Sequence, residues 1–315
     1  MSKIAFIYPG QGAQKAGMGA DFYENSEIAR YIFDQAGEEL DLDMKELCFE
    51  DNDRLDLTEY TQAAMVTTCL AMTRVAESKG LKADITAGLS LGEYPAIAAA
   101  GGMNDMDAIR LVRKRGILMQ NTVPAGEGAM CAVISMAAEE IEKVIEPIAD
   151  VSVANYNCPG QIVITGKTDA VEEAAAKLKE AGARRTIMLN VSGPFHSQML
   201  VPAGEKLAEE LEHTRFHELR IPYVTNVTAE NVTDIRETPG LLTTQISSPV
   251  RWMQSMERMI ADGVDTFVEI GPGKTLEGFL RKIDRSVKVF HISQWEDVDK
   301  VCTELADSGK MMEEA

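Results

Sequence analysis

Long apolar runs are absent from this sequence. None approaches the ~18–20 residues that a membrane span needs, so no transmembrane helix is expected. The first residues, Met1-Ser2-Lys3-Ile4, lack a charged segment leading into an extended apolar one, so no secretory signal is expected either. Cysteine is scarce. Cys48, Cys69, Cys131, Cys158 and Cys302 are odd in number, scattered, and without C-x-x-C spacing. That pattern fits reduced core thiols of a cytoplasmic protein, not a disulfide frame or a zinc site. Positive charge is short as well: 31 Lys and Arg against 50 Asp and Glu leave a formal net charge of −19. Such a balance argues against nucleic acid as a partner, and any polyanionic ligand must find local positive charge. No low-complexity tract and no internal repeat is visible. The chain has 315 residues, 45% of them hydrophobic, enough for one large unit or a unit carrying an insertion.

What is present alternates between strand and helix. Lys3 to Tyr8 reads as a buried strand ended by Pro9-Gly10-Gln11-Gly12, and Thr61 to Lys79 as a long helix stopped by Gly80. Asp84 to Gly88 reads as a strand, and Asn104 to Asn121 as a helix capped by Asn104 or Asp105. This alternation predicts an α/β domain with a mainly parallel sheet. The rhythm then changes. Strands at Ala129–Ser135, Val151–Tyr156, Gln161–Gly166 and Arg184–Leu189 flank helices at Ala137–Ile148 and Asp169–Ala181. The order β-α-β-β-α-β is the ferredoxin-like pattern, so residues 126–191 are expected to be a small domain inserted between 1–125 and 192–315. After it come strands at Tyr223–Asn226 and Thr266–Ile270, and the tail beyond Asp307 is expected to fray.

The stretch most able to do chemistry is Gly88-Leu89-Ser90-Leu91-Gly92, the G-x-S-x-G of a nucleophile elbow. Its glycines permit a tight strand-to-helix turn that lifts the serine oxygen into the open. The plainer alternative is a loop in which Ser90 caps a helix. A nucleophilic serine needs a base, and there are only 4 histidines. His213 and His217 sit four apart among charged neighbours and read as surface residues, while His291 follows an apolar run and reads as a strand-end residue. His196 stands in Ser192-Gly193-Pro194-Phe195-His196-Ser197, a turn directly after a strand, where a side chain can be aimed at a cleft. An oxyanion hole needs two backbone N–H donors. Leu91 is the natural first donor, and Gln11, flanked by glycines, is the candidate second.

Two nucleotide readings fall away. The glycines around Gln11 fail the G-x-G-x-x-G spacing, and Gly273-Lys274-Thr275 lacks the earlier glycine of a P-loop. Arg115 is the most informative charge. Its neighbours at helical spacing, Ala108, Leu111, Val112, Leu118 and Met119, are all apolar, whereas Arg110, Arg113 and Lys114 point elsewhere. An arginine in an apolar stripe must find a partner. That partner is either a structural acid or the carboxylate of a dicarboxylic acyl group. A second basic cluster, Arg281, Lys282, Arg285 and Lys288, is either a solvated face or a docking patch for an acidic partner.

Taken together these blocks resemble the malonyl-CoA:acyl-carrier-protein transacylases over nearly the whole chain. The resemblance rests on Tyr8-Pro9-Gly10-Gln11-Gly12-Ala13-Gln14, Gly88 to Tyr94, Arg115-Gly116 with Met119-Gln120, and Asn155 to Gln161. It continues through Gly193-Pro194-Phe195-His196-Ser197, Gln245 with Pro249 to Trp252, and Glu269 to Gly273. It implies an α/β-hydrolase-like large domain with a ferredoxin-like small one. It also implies that Ser90 is the nucleophile, His196 its base, Gln11 and Leu91 the oxyanion donors, and Arg115 the holder of the malonyl carboxylate. Gln245 is expected near the histidine, helping to orient it, and Phe195 before the histidine marks the malonyl-selecting version. In one place the chain departs from the pattern: Leu89 stands where the family commonly has histidine, which bears on acyl selectivity. The expected substrate is malonyl-CoA and the expected partner an acyl carrier protein, with no metal or redox cofactor, no nucleic acid and no membrane. The chain is expected to act as a monomer. Rival readings are a serine thioesterase or hydrolase, a polyketide-pathway acyltransferase, and a non-catalytic carrier-binding module.

Overall fold

The computed structural model describes residues 2–191 and 193–307. Ser192, where the chain was expected to rejoin the large domain, and the tail after Asp307 lie outside the described residues. Among the described residues ten strands form two sheets. They are β1 (Lys3–Tyr8), β2 (Ile85–Gly88), β3 (Gly128–Ile134), β4 (Val151–Cys158), β5 (Gln161–Lys167), β6 (Arg185–Met188), β7 (Tyr223–Val224), β8 (Asn231–Val232), β9 (Val264–Ile270) and β10 (Lys288–Ile292). The larger sheet has the order β10-β9-β1-β2-β7-β8, parallel except at its β8 edge.

β1 sits inside this sheet and is buried on both faces from Ile4 onward, which is why I-A-F-I-Y reads as an unbroken apolar run. Its alternate side chains feed two cores. Ile4, Phe6 and Tyr8 pack with the Thr58–Ser78 helix, and Ala5 and Ile7 pack with Trp252, Met256, Leu276 and Leu280 on the other side. The Thr58–Ser78 helix is buried almost all round, which explains its Ala, Met and Thr content and its weak amphipathicity. It begins three residues before the sequence reading, because Tyr60 and Thr61 donate to the Leu57 carbonyl. The helix at Asp105–Asn121 has Asn104 at its cap position, but that side chain caps nothing and turns instead to Asp107. These two helices pack closely at Gly116, where a Cβ would stand 2.9 Å from the Thr58 carbonyl oxygen.

The second sheet is antiparallel, with order β4-β5-β3-β6, and carries the Ala138–Ile145 and Thr168–Glu180 helices on one face. This is the ferredoxin-like arrangement expected from the sequence. Its strands match the reading to within two residues at each end, whereas the first helix stops at Ile145, three residues early. The Tyr223–Asn226 strand is likewise shorter than expected, covering Tyr223–Val224. Its last two residues leave the sheet to serve the site below. β4 is tied to the segment before the Trp252–Ala261 helix: the Tyr156 N–H donates to the Val250 carbonyl at 2.9 Å and the Val250 N–H donates to that of Ala154 at 2.8 Å.

Candidate active site

The carboxyl ends of β1, β2, β7 and β9 converge, and the elbow rises from β2. Ser90 has φ 56°, the left-handed region, and lies in a tight 3-10 turn, Ser90–Gly92, that runs into the Glu93–Ala99 helix. The flanking glycines are obligatory. A Cβ on Gly88 would sit 1.8 Å from the Gly92 carbonyl oxygen, and one on Gly92 would sit 2.4 Å from that of Tyr8. Asn226 clamps the turn from the end of β7. Its Oδ1 accepts from the Ser90 N–H at 2.7 Å and its Nδ2 donates to the Gly88 carbonyl at 2.7 Å. The serine hydroxyl caps no helix. Its Oγ lies 2.8 Å from His196 Nε2 and accepts from Arg115 Nη2 at 3.0 Å.

His196 also adopts a left-handed backbone, with φ 60°. Its turn is held by Phe195, whose N–H donates to the Gly193 carbonyl at 3.0 Å, and by Pro194, which covers Gly128. The ring's Nδ1 faces two carbonyl oxygens, Gln245 at 3.0 Å and Ser248 at 3.1 Å. Carbonyls only accept, so Nδ1 carries the proton and Nε2 presents its lone pair to Ser90. Burial, reinforced by the positive charge of Arg115, lowers the imidazole to about 3 while the two carbonyls pull it back. The ring is therefore neutral near pH 7, as a general base requires. Two main-chain carbonyls occupy the place that an acid fills in a hydrolase triad.

Arg115 is fully buried among the apolar neighbours foreseen for it. No carboxylate forms an ion pair with it among the described residues. Its partners are neutral oxygens: Gln62 Oε1 at 2.8 Å, Gln245 Oε1 at 2.9 Å and Ser90 Oγ at 3.0 Å. Its Nε–H has no acceptor among the described residues, and the guanidinium lies 5.8 Å from the Tyr94 ring centre. Burial lowers its pKa from the ordinary value. Gln245 meets the histidine through its main chain only. Its side chain turns to Arg115 and donates Nε2 to the Ser90 carbonyl at 3.0 Å and to Glu93 Oε2 at 2.7 Å.

Leu91 is buried and follows the serine directly on the turn. Gln11 is half-buried, with its side chain on Thr58 Oγ1 at 3.1 Å, and its own N–H has no acceptor among the described residues. The Pro9-Gly10 segment lies against the elbow, since a Cβ on Gly10 would sit 2.9 Å from the Leu89 carbonyl oxygen. Leu89 packs over Gly10 at the edge of the smaller core, and Phe195 is buried beside His196.

A family model described as the acyl transferase domain matches residues 5–298. The chain belongs to the acyl transferase family. It is 45% identical over 304 residues to the malonyl CoA-acyl carrier protein transacylase of Bacillus subtilis, covering 95% of this chain and 96% of that one. The crystal structure of the enzyme of that name from Clostridium perfringens aligns with TM-score 0.94 and 42% identity over 98% of both chains. A malonyl-transacylase solved with its type II polyketide-synthase acyl-carrier protein aligns with TM-score 0.93 and 35% identity, over 96% of this chain and all of that one.

Four residues of this acyltransferase's site escaped the sequence reading: Gln62, Glu93, Asn226 and Ser248. Gln62 had a signal, as a polar residue inside an apolar helix, and Asn226 had another, at the carboxyl end of a parallel strand. The histidine pair is split: His213 is exposed, while His217, read as a surface residue, is half-buried under Gly102. No group of His, Cys, Asp or Glu able to hold a metal occurs among the described residues. The first basic cluster is spent on acids, with Arg110 on Glu39 and Asp107, Arg113 on Glu59 at 2.8 Å, and Lys114 on Glu210 at 3.5 Å. In the second, Arg281, Lys282 and Arg285 line an open cavity of about 640 Å³ together with Asp284, and Lys288 lies outside it. No described helix is long and apolar enough to cross a membrane.

Proposed function

We propose that this chain moves malonyl from malonyl-CoA to the phosphopantetheine thiol of an acyl carrier protein, in fatty-acid synthesis, through an ester on Ser90. One oxygen carries the reading. Ser90 Oγ has a neutral imidazole on one side and, on the other, a buried guanidinium whose partners are all uncharged. A general esterase has no use for that cation, whereas a dicarboxylic acyl group brings the anion it lacks.

In the first half-reaction His196 Nε2 takes the hydroxyl proton as Ser90 Oγ attacks the thioester carbon. The carbonyl oxygen gains negative charge and accepts from the Leu91 and Gln11 N–H groups, and Arg115 holds the distal carboxylate. Collapse breaks the C–S bond, and the imidazolium returns its proton to the departing CoA thiolate. In the second half-reaction the carrier's thiol gives its proton to His196 and attacks the ester, and Ser90 recovers its hydrogen. Phe195, next to the base, bounds the acyl pocket. No metal or redox cofactor takes part. The same reading assigns residues 126–191 to a small domain set into a catalytic one of 1–125 and 192–315, and places the enzyme in the cytoplasm.

Mass spectrometry after mixing with malonyl-CoA tests this directly. A malonyl adduct on Ser90, discharged by carrier protein and slow to hydrolyse, is expected. Discharge by water at the same rate makes the protein a thioesterase, and an adduct on another residue removes Ser90 from its role.

A further inference from the structure

Behind the elbow lies a carboxyl group that the reaction above does not use. Glu93 is fully buried at the start of the short helix after Ser90. Its Oε2 accepts from Gln245 Nε2 at 2.7 Å and from the Asn226 N–H at 3.1 Å. Both donors belong to residues that touch the reacting groups. Gln245 Oε1 accepts from Arg115 at 2.9 Å, and Asn226 Oδ1 accepts from the Ser90 N–H at 2.7 Å. We propose that Glu93 is a positioning residue for acyl selection: acting through Gln245, it aims the Arg115 guanidinium at the acyl group.

The reason is the asymmetry of an amide. A glutamine side chain can present either oxygen or NH2 to a neighbour, and here the two ends face groups of opposite type. Glu93 and the Ser90 carbonyl can accept, so they hold Nε2, and this leaves Oε1 toward Arg115, which can only donate. Rotated by half a turn, the amide would set oxygen against a carboxylate and NH2 against a guanidinium. Glu93 is thus the fixed end of a relay from carboxylate to amide to guanidinium. Burial pushes this carboxyl up to about 7, while Gln245, the Asn226 N–H, Thr225 and Arg115 draw it back.

The inference rests on the malonyl reading, and wild type separates the two. If wild type transfers no malonyl, that reading fails, whatever Glu93 does. Otherwise the test is kcat and KM for malonyl-CoA and acetyl-CoA in Glu93→Met, Glu93→Gln and Glu93→Asp, with melting curves, and in Glu93→Met combined with Gln245→Ala. Glu93→Met keeps the volume and removes the acceptors, and it should narrow the malonyl-over-acetyl preference at least about tenfold, chiefly through malonyl KM. Glu93→Gln should restore most of that preference, because its amide oxygen can accept from the same two donors. Adding Gln245→Ala to Glu93→Met should narrow it no further than Gln245→Ala alone. A folded Glu93→Met enzyme with unchanged preference overturns the proposal, and so do effects that multiply in the double variant. Should Glu93→Met not fold, the comparison passes to Glu93→Asp, too short to reach both donors. It should narrow the preference at least about threefold while Glu93→Gln keeps it, and equal preference in both refutes the relay.

Discussion

Replacing Arg115 with alanine removes a cation that donates to Gln62, Ser90 and Gln245 and, on the proposed reading, to the malonyl carboxylate. Losing one partner of a desolvated charge pair costs about 2–5 kcal/mol, which at 1.4 kcal/mol per decade is roughly a 30- to 4,000-fold loss in malonyl kcat/KM. Acetyl-CoA brings no carboxylate. It should lose only the bond to Ser90 Oγ, about 1 kcal/mol or roughly fivefold. The preference for malonyl should therefore narrow or invert. Arg115→Lys should be nearly as harmful, because a single ammonium cannot reach Gln62, Ser90 and Gln245 together. The change also leaves two buried amide oxygens without their donor, at about 1–3 kcal/mol each, so a melting curve must accompany the kinetics. Steady-state kcat/KM for both thioesters, measured on protein shown to be folded, decides the matter. A folded Arg115→Ala enzyme that still prefers malonyl would refute the carboxylate-holding role, and equal damage to both substrates with a lowered Tm would make Arg115 a structural residue.

Other outcomes follow from the same geometry. His196→Ala should slow Ser90 acylation ~10²–10⁴-fold. In Glu93→Gln, which lacks the buried carboxyl at about 7, the acylation rate should show no inflection near pH 6.5, because the buried ring is held at about 3. The folded state keeps this ring neutral while the unfolded chain protonates it below its ordinary 6.5, so acidification from 6.5 toward 3 draws on stability at this site, and an acylation midpoint near 6.5 would contradict the assignment. Gly92→Ala places a methyl 2.4 Å from the Tyr8 carbonyl oxygen, so it should displace the elbow and cost at least about 1–3 kcal/mol of stability, visible in Tm and in the acylation burst. Reversing the charge of Arg281, Lys282 and Arg285 should raise the apparent KM for carrier protein and spare acylation by malonyl-CoA. Equal damage to both half-reactions, or to neither, would move the docking surface elsewhere.

Local chemistry fixed much of what matters. G-x-S-x-G offered glycine at the two positions where a tight turn leaves no room for a Cβ, and the apolar run after Lys3 matched a strand buried on both faces. Period and turn residues likewise dictated the ferredoxin-like order, and the apolar stripe around Arg115 dictated that this charge would be buried. Segment ends were less legible. Asn104 has the right side chain for a cap and does not use it, and Val224 ends a strand that the sequence pattern carried to Asn226.

The partners of the reacting groups were decided only by tertiary structure. Gln245 reaches the Ser90 carbonyl across 155 positions of chain, and Asn226 reaches Gly88 across 138. No propensity or spacing encodes such contacts, because they depend on how parallel strands register and where their carboxyl ends meet. The histidine shows the difference most plainly. The sequence could place His196 in a turn that faces a cleft, but the groups that hold its Nδ1 are the carbonyls of Gln245 and Ser248. Every residue carries a carbonyl, so no residue type could announce them. Only the fold brings two peptide oxygens within reach of one ring nitrogen and so sets which nitrogen of His196 carries the proton.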